Sequence, residues 1–124
     1  MTAWTTVCHV EDLVPERGAA ALVGDQQVAV FRLQGDEVVA VQQRDPFSGA
    51  NVLSRGIVGS AGDAATLASP MYKQVWDLRT GACLDAAGKE PQDLRTFDVV
   101  VDAERRVRVS AAARDSSAPR ATAG

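Results

Sequence analysis

The apolar residues of this chain fall in short runs separated by Gly, Asp and Pro, and this pattern limits the possible folds most strongly. Residues 28–31 and 38–41 are apolar runs joined across 34–37, where Gly and Asp supply the positive φ that a tight hairpin needs. Residues 97–101 and 106–110 alternate between apolar and polar side chains, which is typical of half-exposed strands. The sequence therefore predicts an all-β fold, an antiparallel β-sandwich or barrel.

The length of 124 residues is close to that of one domain and allows a core without disulfides or metal. We expect a single β domain over residues 1–110. After Ser110 the composition changes to Ala, Ser, Pro, Arg and Gly, which bury too little apolar surface to offset the entropy of ordering. Residues 111–124 are therefore predicted to form a disordered C-terminal tail.

Charge and hydropathy exclude several classes of partner. The net charge is −3, from 16 acidic and 13 basic residues, so the chain lacks the basic field that nucleic-acid binding requires. No apolar run is long enough to span a bilayer and no secretory signal is visible, so we expect a cytoplasmic protein without a membrane partner. Cys8 and Cys83 are expected to be free buried thiols, although sequence spacing alone leaves a disulfide open.

Two segments, residues 43–49 and 69–84, carry the most specific motifs. Taken separately, each is a loop with a proline corner, and the second continues into a hairpin. Taken together, they resemble the two cluster-binding loops of Rieske proteins, in which each loop gives one Cys and one His to a two-iron cluster. The resemblance implies a Rieske-type iron–sulfur domain fold with two long loops at one tip.

The chain keeps much of the sequence pattern around the Rieske ligands, but the cysteine and histidine ligands themselves are replaced. Asp45 and Ser69 occupy the two Cys positions, Phe47 and Tyr72 occupy the two His positions, and Lys73 stands where the family usually has Gly. The matching positions are Pro46, Gly49, Pro70, Asp77, Leu78, Thr80 and Gly81. Because the chain has one histidine, the ligand set cannot be completed, and we expect no cluster, no other metal and no catalytic residue. The two aromatic side chains are expected to fill the volume of the cluster.

The sequence Ser-Pro-x-Tyr-Lys-Gln, followed by Asp-Leu-Arg-Thr-Gly-x-Cys, resembles the small subunits of bacterial assimilatory NAD(P)H-dependent nitrite reductases. Residues 45–59 strengthen this match, and the resemblance extends over about residues 4–110. It implies an accessory subunit with no cofactor of its own. It also implies a large-subunit partner that carries FAD, an iron–sulfur cluster and the sirohaem that reduces nitrite to ammonia.

Basic residues in the two loops are the candidates for partner docking. In Rieske proteins these loops form an exposed tip where electron partners dock, and here they hold Arg44, Arg55 and Lys73 against Asp45 and Asp63. A solvated loop surface without a partner explains the same charges equally well. Two functions therefore stay open at this point: a subunit of a redox enzyme, or a free-standing protein-interaction module on the same fold.

Overall fold

A computed structural model describes residues 4–114, which form ten strands and three short 3-10 turns. The six strands of the larger sheet are β1 (Trp4–His9), β2 (Gly18–Val23), β3 (Gln26–Arg32), β4 (Val38–Gln42), β9 (Thr96–Val101) and β10 (Arg106–Arg114). The four strands of the smaller sheet are β5 (Ile57–Ala61), β6 (Ala64–Ala68), β7 (Val75–Asp77) and β8 (Cys83–Asp85). The predicted all-β class is confirmed.

Every strand pairs antiparallel with its neighbours, in the orders β1-β10-β9-β4-β3-β2 and β5-β6-β7-β8. The edge strands β1 and β2 of the larger sheet approach each other, so this sheet curls toward a barrel. The predicted hairpin joins β3 to β4 through a turn in which Gly35 and Asp36 have φ of 76° and 62°. The smaller sheet and the long loops that flank it carry the motifs found in the sequence.

Strand β3 separates two hydrophobic cores because its side chains alternate between them. Val28 and Val30 pack inside the curled sheet, whereas Ala29 and Phe31 pack against residues of the smaller sheet such as Trp76. These four side chains of β3 are all buried. A strand covered on both faces reads as a continuous apolar run, which explains the pattern at residues 28–31.

Strand β10 continues past Ser110 to Arg114, where Ala113 pairs with Phe97 and Arg114 pairs with Thr96. The strand therefore includes the first residues of the predicted C-terminal tail. The rest of that predicted tail lies outside the described residues. No helix among residues 4–114 is long and apolar enough to cross a membrane.

Both cysteines are free and partly buried, Cys8 on β1 and Cys83 on β8. Burial, together with the nearby Asp12 carboxylate, raises the pKa of the Cys8 thiol. The expectation of free thiols is confirmed, although neither side chain is fully buried.

An exposed ion-pair group joins three turns of the larger sheet. The Arg105 guanidinium lies 2.5 Å from Glu11 Oε2 and 3.2 Å from Asp36 Oδ2, and Arg32 lies 2.7 Å from Asp36 Oδ1. Hydrogen bonding from Arg105 lowers the pKa of Glu11. The pKa of Asp36 is lowered by Arg32 and then by Arg105.

Candidate functional site

The first loop, between β4 and β5, is built around buried polar side chains. Gln43 is buried, donates from Nε2 to Ser54 Oγ at 2.8 Å and accepts from the Ser54 N–H at 2.7 Å. The Asp45 N–H donates to the Ala50 carbonyl at 2.8 Å, and the Gly49 N–H returns to the Asp45 carbonyl at 2.7 Å. Gly49 has φ of 77°, a value that favours glycine and closes the turn.

The second loop connects β6 to β7 and then leads into the β7–β8 hairpin. The Ser69 N–H donates to the Gln74 carbonyl at 2.8 Å, and Lys73 adopts φ of 63° within this turn. Lys73 thus keeps a left-handed conformation at the position where the Rieske pattern has glycine. In the hairpin, Asp77 Oδ1 accepts from the N–H groups of Arg79 and Thr80 at 2.8 and 3.0 Å, which explains the Asp-Leu-x-Thr-Gly match.

A side-chain hydrogen bond joins the two loops at the former cysteine positions. The Ser69 hydroxyl donates to Asp45 Oδ2 at 2.5 Å, and the exposed fractions of Asp45 and Ser69 are 0% and 2%. Asp45 Oδ1 accepts from the N–H groups of Phe47 and Ser48 at 2.8 and 3.3 Å, and Ser69 Oγ accepts from the Met71 N–H at 3.1 Å. Because both groups are buried and satisfied, the Asp45–Ser69 pair fixes the distance between the loops.

The two aromatic residues at the former histidine positions behave differently. Phe47 is half-buried against the core that contains Phe31 and Trp76, and its ring centroid lies 5.9 Å from that of Trp76. Tyr72 is 52% exposed, and the Lys89 ammonium lies 5.2 Å from the centre of its ring. The prediction that both rings fill the cluster volume is therefore wrong for Tyr72, which projects into solvent beside a lysine from the 86–93 loop.

Gln74 is fully buried, and neither atom of its side-chain amide has a hydrogen-bond partner among the described residues. Gln74 ends the Ser-Pro-x-Tyr-Lys-Gln motif, but the motif does not reveal its burial without a partner, and nothing in the sequence points to Lys89. No local sequence pattern predicts the burial of a single polar residue next to a strand. The same holds for the contacts of a lysine in a distant loop. Only the approach of the 86–93 loop to the second loop brings Lys89 to Tyr72.

Arg44, Arg55 and Lys73 are all exposed, but no described contact brings the three together. Arg44 lines an open groove of about 690 Å³ with Gln92 and other residues after β4 and before β9. Arg55 ends the 3-10 turn Leu53–Arg55 and lines a separate groove of about 410 Å³ with Arg17. The three basic residues of the two loops thus lie in two grooves and on the second loop, and their role in docking stays a prediction.

Comparison with known proteins agrees with this architecture. The profile of the Rieske-like [2Fe-2S] domain family matches residues 3–110. The chain belongs to this family. As a Rieske-like protein it is 41% identical to the nitrite reductase (NADH) small subunit of Escherichia coli strain K12, over 68% of this chain and 80% of that relative. It is a homologue of these small subunits, and the family recognised in the sequence is confirmed.

A solved structure with the same Rieske-like fold is that of an NADH-dependent nitrite reductase small subunit from Mycobacterium tuberculosis. It superposes with a TM-score of 0.83 at 42% identity and covers 90% of this chain and 97% of that chain. The nitrite reductase [NAD(P)H] large subunit of Klebsiella oxytoca also contains a matching region. That region is 38% identical over 80% of this chain, but it makes up only 10% of the Klebsiella protein.

The side chains of this Rieske-like protein do not fit the cluster that gives the family its name. A Rieske centre needs two thiolates and two imidazoles, whereas the equivalent positions hold a carboxylate, a hydroxyl and two aromatic rings. Asp45 and Ser69 are bonded to each other, and His9 lies on β1. Within residues 4–114 no three His, Cys, Asp or Glu side chains are close enough to hold a metal ion.

Proposed function

We propose that this chain is the small subunit of an NAD(P)H-dependent nitrite reductase and that it binds no [2Fe–2S] cluster of its own. The relatives support the subunit assignment, and the Asp45–Ser69 hydrogen bond supports the second part. In a Rieske protein the iron atoms tie the two loops together. Here two buried side chains perform that structural task, so the loops keep their arrangement without thiolate or imidazole ligands.

The proposed partner is the large subunit of the same enzyme, which would carry FAD, sirohaem and an iron–sulfur cluster. The Klebsiella oxytoca large subunit supports this partner because a region similar to this chain is part of its own polypeptide. Two units that form one polypeptide in one organism are good candidates for a complex of separate chains in another. The small subunit would then complete the enzyme by binding, while the redox steps take place on the large subunit.

Two observations support docking through Arg44, Arg55 and Lys73. These side chains are exposed, and residues suited to an interface lie beside Lys73. None of the three side chains has an ion-pair or hydrogen-bond partner within residues 4–114. Next to Lys73, Met71 is 47% and Tyr72 is 52% exposed. Arg, Tyr and Met are enriched in the centres of protein interfaces, so Arg44, Arg55 and the residues beside Lys73 have suitable chemistry for a protein partner.

The cluster part of the proposal is tested on the purified chain. After anaerobic incubation with iron and sulfide and removal of the excess, we expect a colourless protein with no bound iron. A Rieske ferredoxin treated in parallel is the positive control for reconstitution. Visible absorbance that rises with stoichiometric iron in this chain would show that it holds a cluster and would overturn this part of the proposal.

The partner part is tested by reconstitution with the large subunit from the same organism. Nitrite-dependent NAD(P)H oxidation is measured while wild-type chain, or a variant with Arg44→Glu and Lys73→Glu, is titrated in. The variant should need a higher concentration, because reversed charges oppose association, with the largest difference at low salt. Arg108→Glu, on the exposed face of β10, is the matched control. A large subunit that is fully active and stable alone would contradict the accessory role.

A further inference from the structure

Strand β5 is an edge strand without the usual protection against pairing. Its residues pair with β6 on one side, and no described strand pairs on the other. Edge strands are commonly blocked by charged residues, proline or a bulge. The sequence Ile-Val-Gly-Ser-Ala has no charge or proline, and its register with β6 is regular. The opposite edge, β8, has only three residues and includes Asp85.

The backbone of β5 presents hydrogen-bonding groups away from β6. The Ala65 carbonyl accepts from the Leu78 N–H at 2.8 Å, so the backbone groups of Ala65 face the β7 side. Ala65 is the register partner of Ser60. In an antiparallel ladder the N–H and C=O of Ser60 must then point away from β6. Because these directions repeat every second residue, the N–H and C=O of Val58 also point away from β6. These groups form the template that an added strand requires.

Two open grooves, of about 410 and 280 Å³, run along β5 and share Glu16 and Val58. The first extends from Ser54 to Val58, and the second continues from Val58 toward the Gly62–Asp63 turn. Together they form what we call the β5 groove. Ile57 lies in it with 72% of its surface exposed. An extended segment with apolar side chains would cover this residue.

The charges at one end of the β5 groove favour an acidic occupant. Arg17 and Arg55 both line the groove, and neither side chain has an ion-pair or hydrogen-bond partner within residues 4–114. Glu16, the acidic residue of this part of the lining, accepts a hydrogen bond from Gln34 at 3.2 Å. The two free guanidinium groups can therefore pair with carboxylates of an incoming chain.

We propose that an extended segment of the large subunit, with acidic residues beside Arg17 and Arg55, adds to β5 as a fifth strand of the smaller sheet. This inference rests on the proposed function for the identity of the partner. It gives Arg55 a role different from that of Arg44 and Lys73, since Arg55 guides the segment into the groove. Main-chain hydrogen bonds from Val58 and Ser60 provide affinity, and Ile57 provides apolar contact.

Binding of the full-length chain to the purified large subunit tests this proposal, with the two variants Ser60→Pro and Ile57→Glu. Ser60→Pro removes an outward N–H that the β5–β6 ladder does not use, and Ser60→Ala keeps that N–H as its control. Ile57→Glu places a negative charge on the edge, where it replaces the apolar contact and repels an acidic segment. Leu84→Glu makes the same change on β8, where Leu84 is 50% exposed. We expect the first variant of each pair to weaken binding by about tenfold or more, and each control by less than about twofold.

The outcomes separate this inference from the proposed function. Failure of the wild-type chain to bind the large subunit would reject the proposed function itself. Wild-type binding that Ser60→Pro and Ile57→Glu leave unchanged would reject only strand addition at β5. If Ser60→Pro lowers the melting temperature strongly, Ile57→Glu alone decides. A wild-type chain that dimerises by itself, with Ser60→Pro monomeric, would show that a second copy occupies the edge and would also overturn the proposal.

Discussion

The Asp45–Ser69 hydrogen bond predicts a measurable loss of stability when the serine hydroxyl is removed. A hydrogen bond to a charged group contributes roughly 1.5–3 kcal/mol, and Ser69→Ala also leaves the buried carboxylate with one acceptor position unsatisfied. We therefore expect a loss of about 2–3 kcal/mol. At roughly 3–6 °C per kcal/mol for a domain of this size, the melting temperature should fall by about 6–18 °C.

Thermal unfolding followed by circular dichroism measures this loss, with Ser48→Ala as the matched control. Ser48 lies in the first loop, and its hydroxyl accepts one hydrogen bond among residues 4–114, from the Ala50 N–H at 3.2 Å, so its removal should cost about 1 kcal/mol or less. A double-mutant cycle with Asp45→Asn then isolates the coupling between the two side chains. If Ser69→Ala melts within about 2 °C of Ser48→Ala, the two loops are held by something other than this pair.

Three further perturbations test the packing and the charges by thermal unfolding. Phe47→Ala should cost about 1–2 kcal/mol, less than the roughly 3–5 kcal/mol of a fully buried phenylalanine, because the ring is half-buried; an unchanged melting temperature would place the ring in solvent. Gly81→Ala should lower the stability of the fold far more than Gly88→Ala. Both glycines have positive φ, but only at Gly81 would an added Cβ meet the backbone of Leu94. Equal losses of stability would contradict this packing. Arg105→Ala, unlike the control Arg108→Ala, should melt below the wild-type chain at pH 6. This gap should close as pH falls from about 4.5 through the lowered pKa values of Glu11 and Asp36, because these carboxyl groups lose their stabilising contribution as they are protonated. A gap independent of pH would exclude these ion pairs.

The fold class was predictable from the sequence because strand periodicity and turn residues are local signals. The β3–β4 hairpin is an example, since both apolar runs and the Gly35 turn are contiguous in the chain. The extension of β10 was not predictable in this way. Residues 111–113 are alanines with weak strand preference, and their strand conformation depends on pairing with β9, a contact that composition does not reveal.

The positions of the candidate site were predictable, but its interactions were not. Asp45 and Ser69 could be assigned to the cysteine positions from the motifs alone. Their hydrogen bond joins residues 24 positions apart and depends on how the two loops approach. The exposure of Tyr72 has the same origin, because the path of the second loop and the nearby Lys89 direct the ring outward rather than into the core.

The left-handed conformation of Lys73 implies a trade-off between folding and function. A side chain at φ of 63° costs about 1 kcal/mol relative to the conformations that L-residues prefer, and glycine would avoid that cost. The Lys73 side chain is exposed and has no partner within residues 4–114 that would compensate. If Lys73 contacts the large subunit as proposed, that contact offsets this cost in the bound state. Lys73→Gly should therefore give a more stable chain that docks less well, with the two effects opposite in sign.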